Sequence, residues 1–297
     1  MNLQLSTKYY VPQENPVACI VVVHGMQEHK KRYAPLGEFL KEQGFVVATY
    51  DLPGHGSNAN KEGSLGYFGE TDGWKTLVES AHFMVQEMHK KYPGLPVWYF
   101  GHSMGTIIGR CYLQKYDDEI DGMMLSGLPC YNSFARPGMA IAKTIRMVKG
   151  PKGTSKLLDE LMTGQFNKQI KDAETDVDWL SVNKDNVRRY LEDELCGVPF
   201  TVQGYIDLIG GMIQMHTSSL YQVKHADLPL RCYAGSEDPC IGGEKGFEDS
   251  VQFIQHLGYT NITKVLYKGK RHEILNEDVR QEMMENMADF VKKNIRG

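Results

Sequence analysis

"WYFGHSMGTIIGR", residues 98–110, decides how the rest of the chain is read. It follows Val97 in a β-branched and aromatic run suited to the interior of a sheet. It then continues as a helix with an apolar stripe of Ile107, Ile108 and Cys111. Between the two lies Gly101-His102-Ser103-Met104-Gly105. Glycines on both sides let strand and helix approach closely, while the serine sits on a strained turn with its hydroxyl exposed at the sheet's C-terminal edge. The N–H of Met104 then opens a helix, where the backbone dipole favours developing negative charge.

Working outward, short apolar runs alternate with helical patterns, the signature of a mainly parallel sheet flanked by helices. The expected strands are 18–25, 45–51, 97–101, 122–127, 228–235 and 262–269, with an additional early strand over 3–11. Helices are expected over 33–43, 73–91, 103–116, 243–257 and 276–294. The alternation stops between about 130 and 225, where the sequence reads as helical and irregular. The expectation is therefore an α/β core formed by residues 1–129 and 226–297, with a helical cap, 130–225, inserted between the sixth and seventh strands.

A serine hydroxyl is a weak nucleophile until a base takes its proton, and the base needs an acid to orient it. On an elbow of this kind the partners follow in the order serine, acid, histidine, on loops after later strands. "YAGSEDPCIGG" places Asp238 after one such strand, and "YKGKRHEIL" places His272 after the last. Glu237 is the neighbouring decoy for the acid, and His256, within a helical run, is the decoy for the base. The loop "HGMQEHKKRY" supplies the second oxyanion donor: His24 and Gly25 shape a tight turn, and the N–H of Met26 faces the serine. His24 and His29 lack a surrounding ligand set, so no metal is expected, and the chemistry needs no cofactor.

Composition narrows the class. The chain has 297 residues, 41% apolar and 24% charged, as a soluble globular protein has. Its net charge of -4 leaves no basic footprint for nucleic acid. The N-terminal stretch has no signal-peptide pattern, and no apolar run approaches a membrane span. Six scattered cysteines without a CxxC pair read as reduced core residues of a cytoplasmic protein.

"HGMQEHKKRY", "YDLPGHGSN" (50–58), "GHSMG" and the Asp238 and His272 loops resemble the monoacylglycerol lipase and lysophospholipase group of α/β-hydrolases, to which the description serine aminopeptidase S33 is also attached. "YLEDELCGVPFT" (190–201) extends the likeness into the insertion. The resemblance implies an α/β-hydrolase fold and a serine hydrolase acting on a monoacyl lipid or small carboxylic ester. Gln27 departs from it, standing where monoacylglycerol lipases usually have a second glycine. Asp51, His55 and Ser57 are expected to brace the loop that carries the oxyanion donor. Two other functions remain open: an aminopeptidase with an acidic recess built from Glu192, Asp193 or Glu194, and a non-catalytic binding protein on the same fold.

Within the insertion, Met139, Met147, Met162, Met212 and Met215 suit an apolar site that accepts varied chains, or simply fill small helical cores. The stretch 205–216 lines an acyl channel or anchors the cap. In 137–152, Ile141, Ile145 and Val148 recur on one helical face, with Lys143 and Arg146 turned away. That face either packs down onto the core or rests on an anionic bilayer.

Overall fold

The computed structural model describes residues 4–62, 65–171 and 173–295. Seven strands form one sheet in the order β1-β3-β2-β4-β5-β6-β7. They are β1 (Thr7–Tyr10), β2 (Ala18–Val23), β3 (Phe45–Tyr50), β4 (Val97–His102), β5 (Gly122–Ser126), β6 (Leu230–Gly235) and β7 (Ile262–Tyr267). Only β1 runs antiparallel, pairing Thr7 with Tyr50 at the edge. The expected early strand began at residue 3, which lies outside the described residues.

β2, β3 and β4 are buried along their whole lengths, as strands covered on both faces must be. Alternation sorts their side chains. Val21, Val23 and Tyr99 face the layer that contains α3 (Gly73–Lys91), α4 (Met104–Tyr116) and α10 (Gly243–His256). Ile20, Val22, Trp98 and Phe100 face α1 (Ala34–Glu42) and α11 (Arg280–Asn294). A short α2 (Gly56–Glu62), not expected from the sequence, follows β3.

The helical insertion carries α5 (Ala135–Lys149), α6 (Lys156–Asp159), α7 (Gln165–Asn167), α8 (Lys184–Glu192) and α9 (Val202–Met215). It departs after β5 and returns at β6, so among the described residues it lies between the fifth and sixth strands. The expected sixth and seventh strands overcounted by one; the flanking segments are the same. α9 packs on α3, α4 and α5. Asp207 of α9 accepts a hydrogen bond from the N–H of Gly73 at 2.8 Å, capping α3 from outside, because Asp72 makes no cap bond with its own side chain.

Of the two expectations for that face, packing down onto the core fails for Ile141 and Val148. α5 buries Ala135, Gly138 and Ala142, whereas Ile141 is 37% exposed and Val148 84% exposed. Ile145 is partly buried against the core.

In the sheet, β2 lies between β3 and β4, with Val23 beside Gly101. The chain's winding reverses here, and such a switch point opens a crevice at the strands' C-terminal ends. The Gly25 loop and Ser103 therefore emerge side by side.

Candidate active site

Ser103 has φ 51 and ψ −114, a conformation that side chains rarely adopt. Its N–H donates to the Ser126 carbonyl on β5 at 2.9 Å. The flanking glycines are required by contact. A Cβ on Gly105 would lie 2.2 Å from the Val23 carbonyl oxygen, and one on Gly101 would lie 2.5 Å from the Gly105 oxygen. Gly25 meets the same turn from the other side, where an added Cβ would sit 3.1 Å from the Ser103 Cβ.

Asp238 and His272 come together. His272 Nδ1 and Asp238 Oδ2 are 2.8 Å apart, with both residues buried. The second Asp238 oxygen accepts from the Cys240 N–H at 2.8 Å, fixing the carboxylate. Burial works to lower the His272 pKa, but the charge and hydrogen bond of Asp238 outweigh it and hold the ring above the usual histidine value. His272 Nε2 has no hydrogen-bond partner among the described residues, so no Ser103–His272 bond is made here. Unliganded sites of this kind often close that bond only on binding. The decoys lie elsewhere, for Glu237 and His256 are exposed.

Ser103, Met26 and Met104 line one cavity of about 310 Å³. Its walls include Ile107, Leu158, Met162, Ile209 and Met212, so α9 both lines the cavity and anchors the insertion. Among the described residues, its lining contains no carboxylate. Glu192 and Glu194 are exposed, and Asp193 pairs with His29 at 2.8 Å, so none of the three forms the acidic recess an aminopeptidase would need. Of the other methionines, Met139 packs against the core, Met215 is buried and Met147 is 87% exposed.

His24 accepts the Leu52 N–H at Nε2, 3.0 Å, and lies within hydrogen-bond distance of the Gly25 carbonyl through Nδ1. Asp51 braces the loop as expected, accepting the Lys30 N–H at 3.0 Å and pairing with the Lys30 ammonium. His55 and Ser57 do not reach the loop by hydrogen bonds. His55 stacks on Phe68 and sets its edge toward His24, while the Ser57 N–H donates to Asp51.

Two groupings bring metal-ligand types within 4.8 Å: His29, Asp193 and Cys196; and Asp238, Cys240 and His272. In both, the histidine nitrogen and carboxylate bond each other at 2.8 Å, and burial pushes the Cys196 and Cys240 thiols up, towards the protonated form.

Several site residues were not singled out by sequence. Arg32 forks onto Glu273, next to His272, with Nη2 donating to Oε2 at 2.7 Å, and also reaches Glu28 at 2.9 Å. Glu28 accepts the Gly25 N–H at 2.6 Å. Burial would raise the Glu273 pKa, yet the Arg32 charge prevails and lowers it to about 2. Trp179 covers His272 with ring centroids 4.8 Å apart. The signal for the first group was the acid and base content of "HGMQEHKKRY"; nothing local marked Trp179.

Comparison with known proteins places these observations. The family model described as "Serine aminopeptidase, S33" matches residues 14–279. Phospholipase YtpA of Bacillus subtilis is 23% identical over 287 residues, covering 95% of this chain and 98% of that protein. Mouse monoglyceride lipase is 27% identical, covering 98% and 88% respectively. A thermostable carboxyl esterase from Bacillus coagulans, crystallised with glycerol, superposes with TM-score 0.92 at 27% identity, covering 98% of this chain and 94% of the esterase.

Proposed function

The chain belongs to the serine aminopeptidase S33 family, and from that premise we propose that it is a serine hydrolase of carboxylic esters whose substrates carry one acyl chain. Monoacylglycerols, lysophospholipid-type lipids and short acyl esters are the intended class. The observation that carries this reading is the cavity: Ser103 opens onto about 310 Å³ of mainly apolar space with no carboxylate among its described lining residues. That volume is at the small end of ligand sites and suits a single chain. The names of the related lipases and the esterase agree with it.

The mechanism follows from the roles the residues can take. Ser103 Oγ attacks the ester carbonyl as His272 Nε2 accepts its proton, with Asp238 holding the ring through Nδ1. The N–H groups of Met26 and Met104 receive the negative charge of the tetrahedral intermediate. His272 returns the proton to the departing alcohol, leaving an acyl-serine. Water, deprotonated by His272, attacks this ester and releases the carboxylic acid.

An amidase or aminopeptidase reading has less support, because a cationic amino group would find no counter-ion among the described residues of the cavity lining. A non-catalytic reading leaves the strained Ser103 and the buried Asp238–His272 pair without a use.

The test is a panel of monoacylglycerols, lysophospholipids, aryl esters of increasing chain length and aminoacyl amides. Hydrolysis of monoacyl esters, lost by roughly 10³-fold or more in Ser103→Ala, is expected. Turnover confined to aminoacyl amides overturns the substrate class.

A further inference from the structure

Among the described residues, four non-glycine residues have positive φ, and two of them are at this site: Ser103 and Gln27, the latter at φ 54. Gln27 follows Met26, so its conformation fixes the C-terminal side of Met26, whose own N–H lies in the preceding peptide shared with Gly25. Glycine takes this conformation without steric cost, whereas glutamine takes it only where surroundings impose it.

The surroundings come from the insertion. The Gln27 carbonyl oxygen accepts the Tyr190 hydroxyl at 3.0 Å and the Gly197 N–H at 2.9 Å. The same Gly197 N–H lies 3.1 Å from the Tyr190 oxygen, so the three groups close on one another. Tyr190 is buried, with Arg32 lying over its ring at 5.0 Å. The neighbouring loop residue, His29, bonds Asp193 at 2.8 Å. On the other side of Met26, Gly25 is fixed to the core: its N–H donates to Glu28, and an added Cβ there would lie 3.1 Å from the Ser103 Cβ. Met26 thus hangs between a core clamp and a clamp borrowed from the insertion.

We propose that Tyr190 is a positioning residue for the reaction: with Gly197 it holds Gln27 in the left-handed conformation and so anchors the C-terminal side of Met26, keeping the Gly25–Met26 peptide, with the Met26 N–H, directed at the oxyanion. The insertion completes the oxyanion site in addition to covering it. This rests on the ester-hydrolase reading, in which Met26 is a donor.

The experiment is a double-mutant cycle on the full chain using Tyr190→Phe and Gln27→Gly, read with an aryl ester and by the rate of fluorophosphonate labelling. Tyr190→Phe keeps the ring over Arg32 and removes only the hydroxyl. Deleting an oxyanion donor outright costs about 10²–10³ in kcat, and misaiming one costs less. Tyr190→Phe is therefore expected to lower kcat about ten-fold, with KM changing less than about two-fold and labelling slowing in parallel. In the Gln27→Gly background, where the left-handed conformation carries no steric strain, the same change is expected to cost less than about three-fold. A merely structural Tyr190 would lower Tm while leaving kcat intact, and that result overturns the proposal. So does an equal loss in both backgrounds. Failure of the wild type to label at Ser103 would instead overturn the ester-hydrolase reading.

Discussion

At the scale of the residue, His272 makes a directional prediction. In the proposed mechanism catalysis requires the neutral ring, and Asp238 favours the charged ring strongly enough to overcome burial. Activity is therefore lost on acidification, beginning above the ordinary histidine pKa of about 6.5. The logarithm of kcat/KM is expected to rise with pH through one inflection above that value. Asp238→Asn, which removes the charge, is expected to lower the rate by roughly 10⁴-fold. An inflection well below about 6.5, or a rate indifferent to Asp238→Asn, would contradict these roles. His102 does not confuse the profile, because burial lowers its pKa to about 4. The placement of Ser103, Asp238 and His272 after β-strands was legible in the sequence, because strand ends are marked by apolar runs meeting glycine. Glu28, Arg32 and Glu273 were not selected. Their roles depend on a contact between residues 32 and 273, and no local pattern encodes that contact.

At the scale of the element, the core helices and strands followed from periodicity with ends displaced by a few residues, but α5 misled it. Large apolar side chains suggested Ile141, Ile145 and Val148 as the inward face. Small residues do the packing instead: Ala135, Gly138 and Ala142 turn inward, and α5 packs on α9. A hydrophobicity pattern gives such residues little weight. The consequence is an outward stripe of Phe134, Ile141 and Val148, all exposed, with Met147 and Lys143 exposed on another side of the helix. Phe134 also lines the Ser103 cavity, so this face borders the substrate site. We propose that it rests on an anionic lipid surface. Each fully buried side chain of this size contributes about 1.5–3 kcal/mol, less the cost of immobilisation, so binding should be weak and reversible. Wild type is expected to sediment with anionic vesicles at low salt and to be released at high salt. Ile141→Ser/Val148→Ser is expected to stay in solution under both conditions. Wild type remaining in the supernatant at low salt would show that the face has no affinity for lipid, and that substrates are taken from solution.

At the scale of the whole molecule, distant parts of the chain meet around one peptide. The loop after β2 is tied to β3 through Asp51, to the His272 loop through Arg32 and Glu273, and to the insertion through Asn186, Tyr190 and Asp193. The α/β-hydrolase core was legible because parallel strands announce themselves locally. The insertion's helices were legible as helical, whereas its bonds to the loop after β2 were not, since they join residues more than 150 positions apart. The account as a whole depends on Ser103 being the nucleophile. Its most direct test is fluorophosphonate labelling followed by peptide mapping, with Ser103→Ala as the control. The account predicts a single adduct on the peptide that contains Ser103 and none on the folded alanine variant. An adduct on another serine, or stoichiometric labelling of Ser103→Ala, would contradict it.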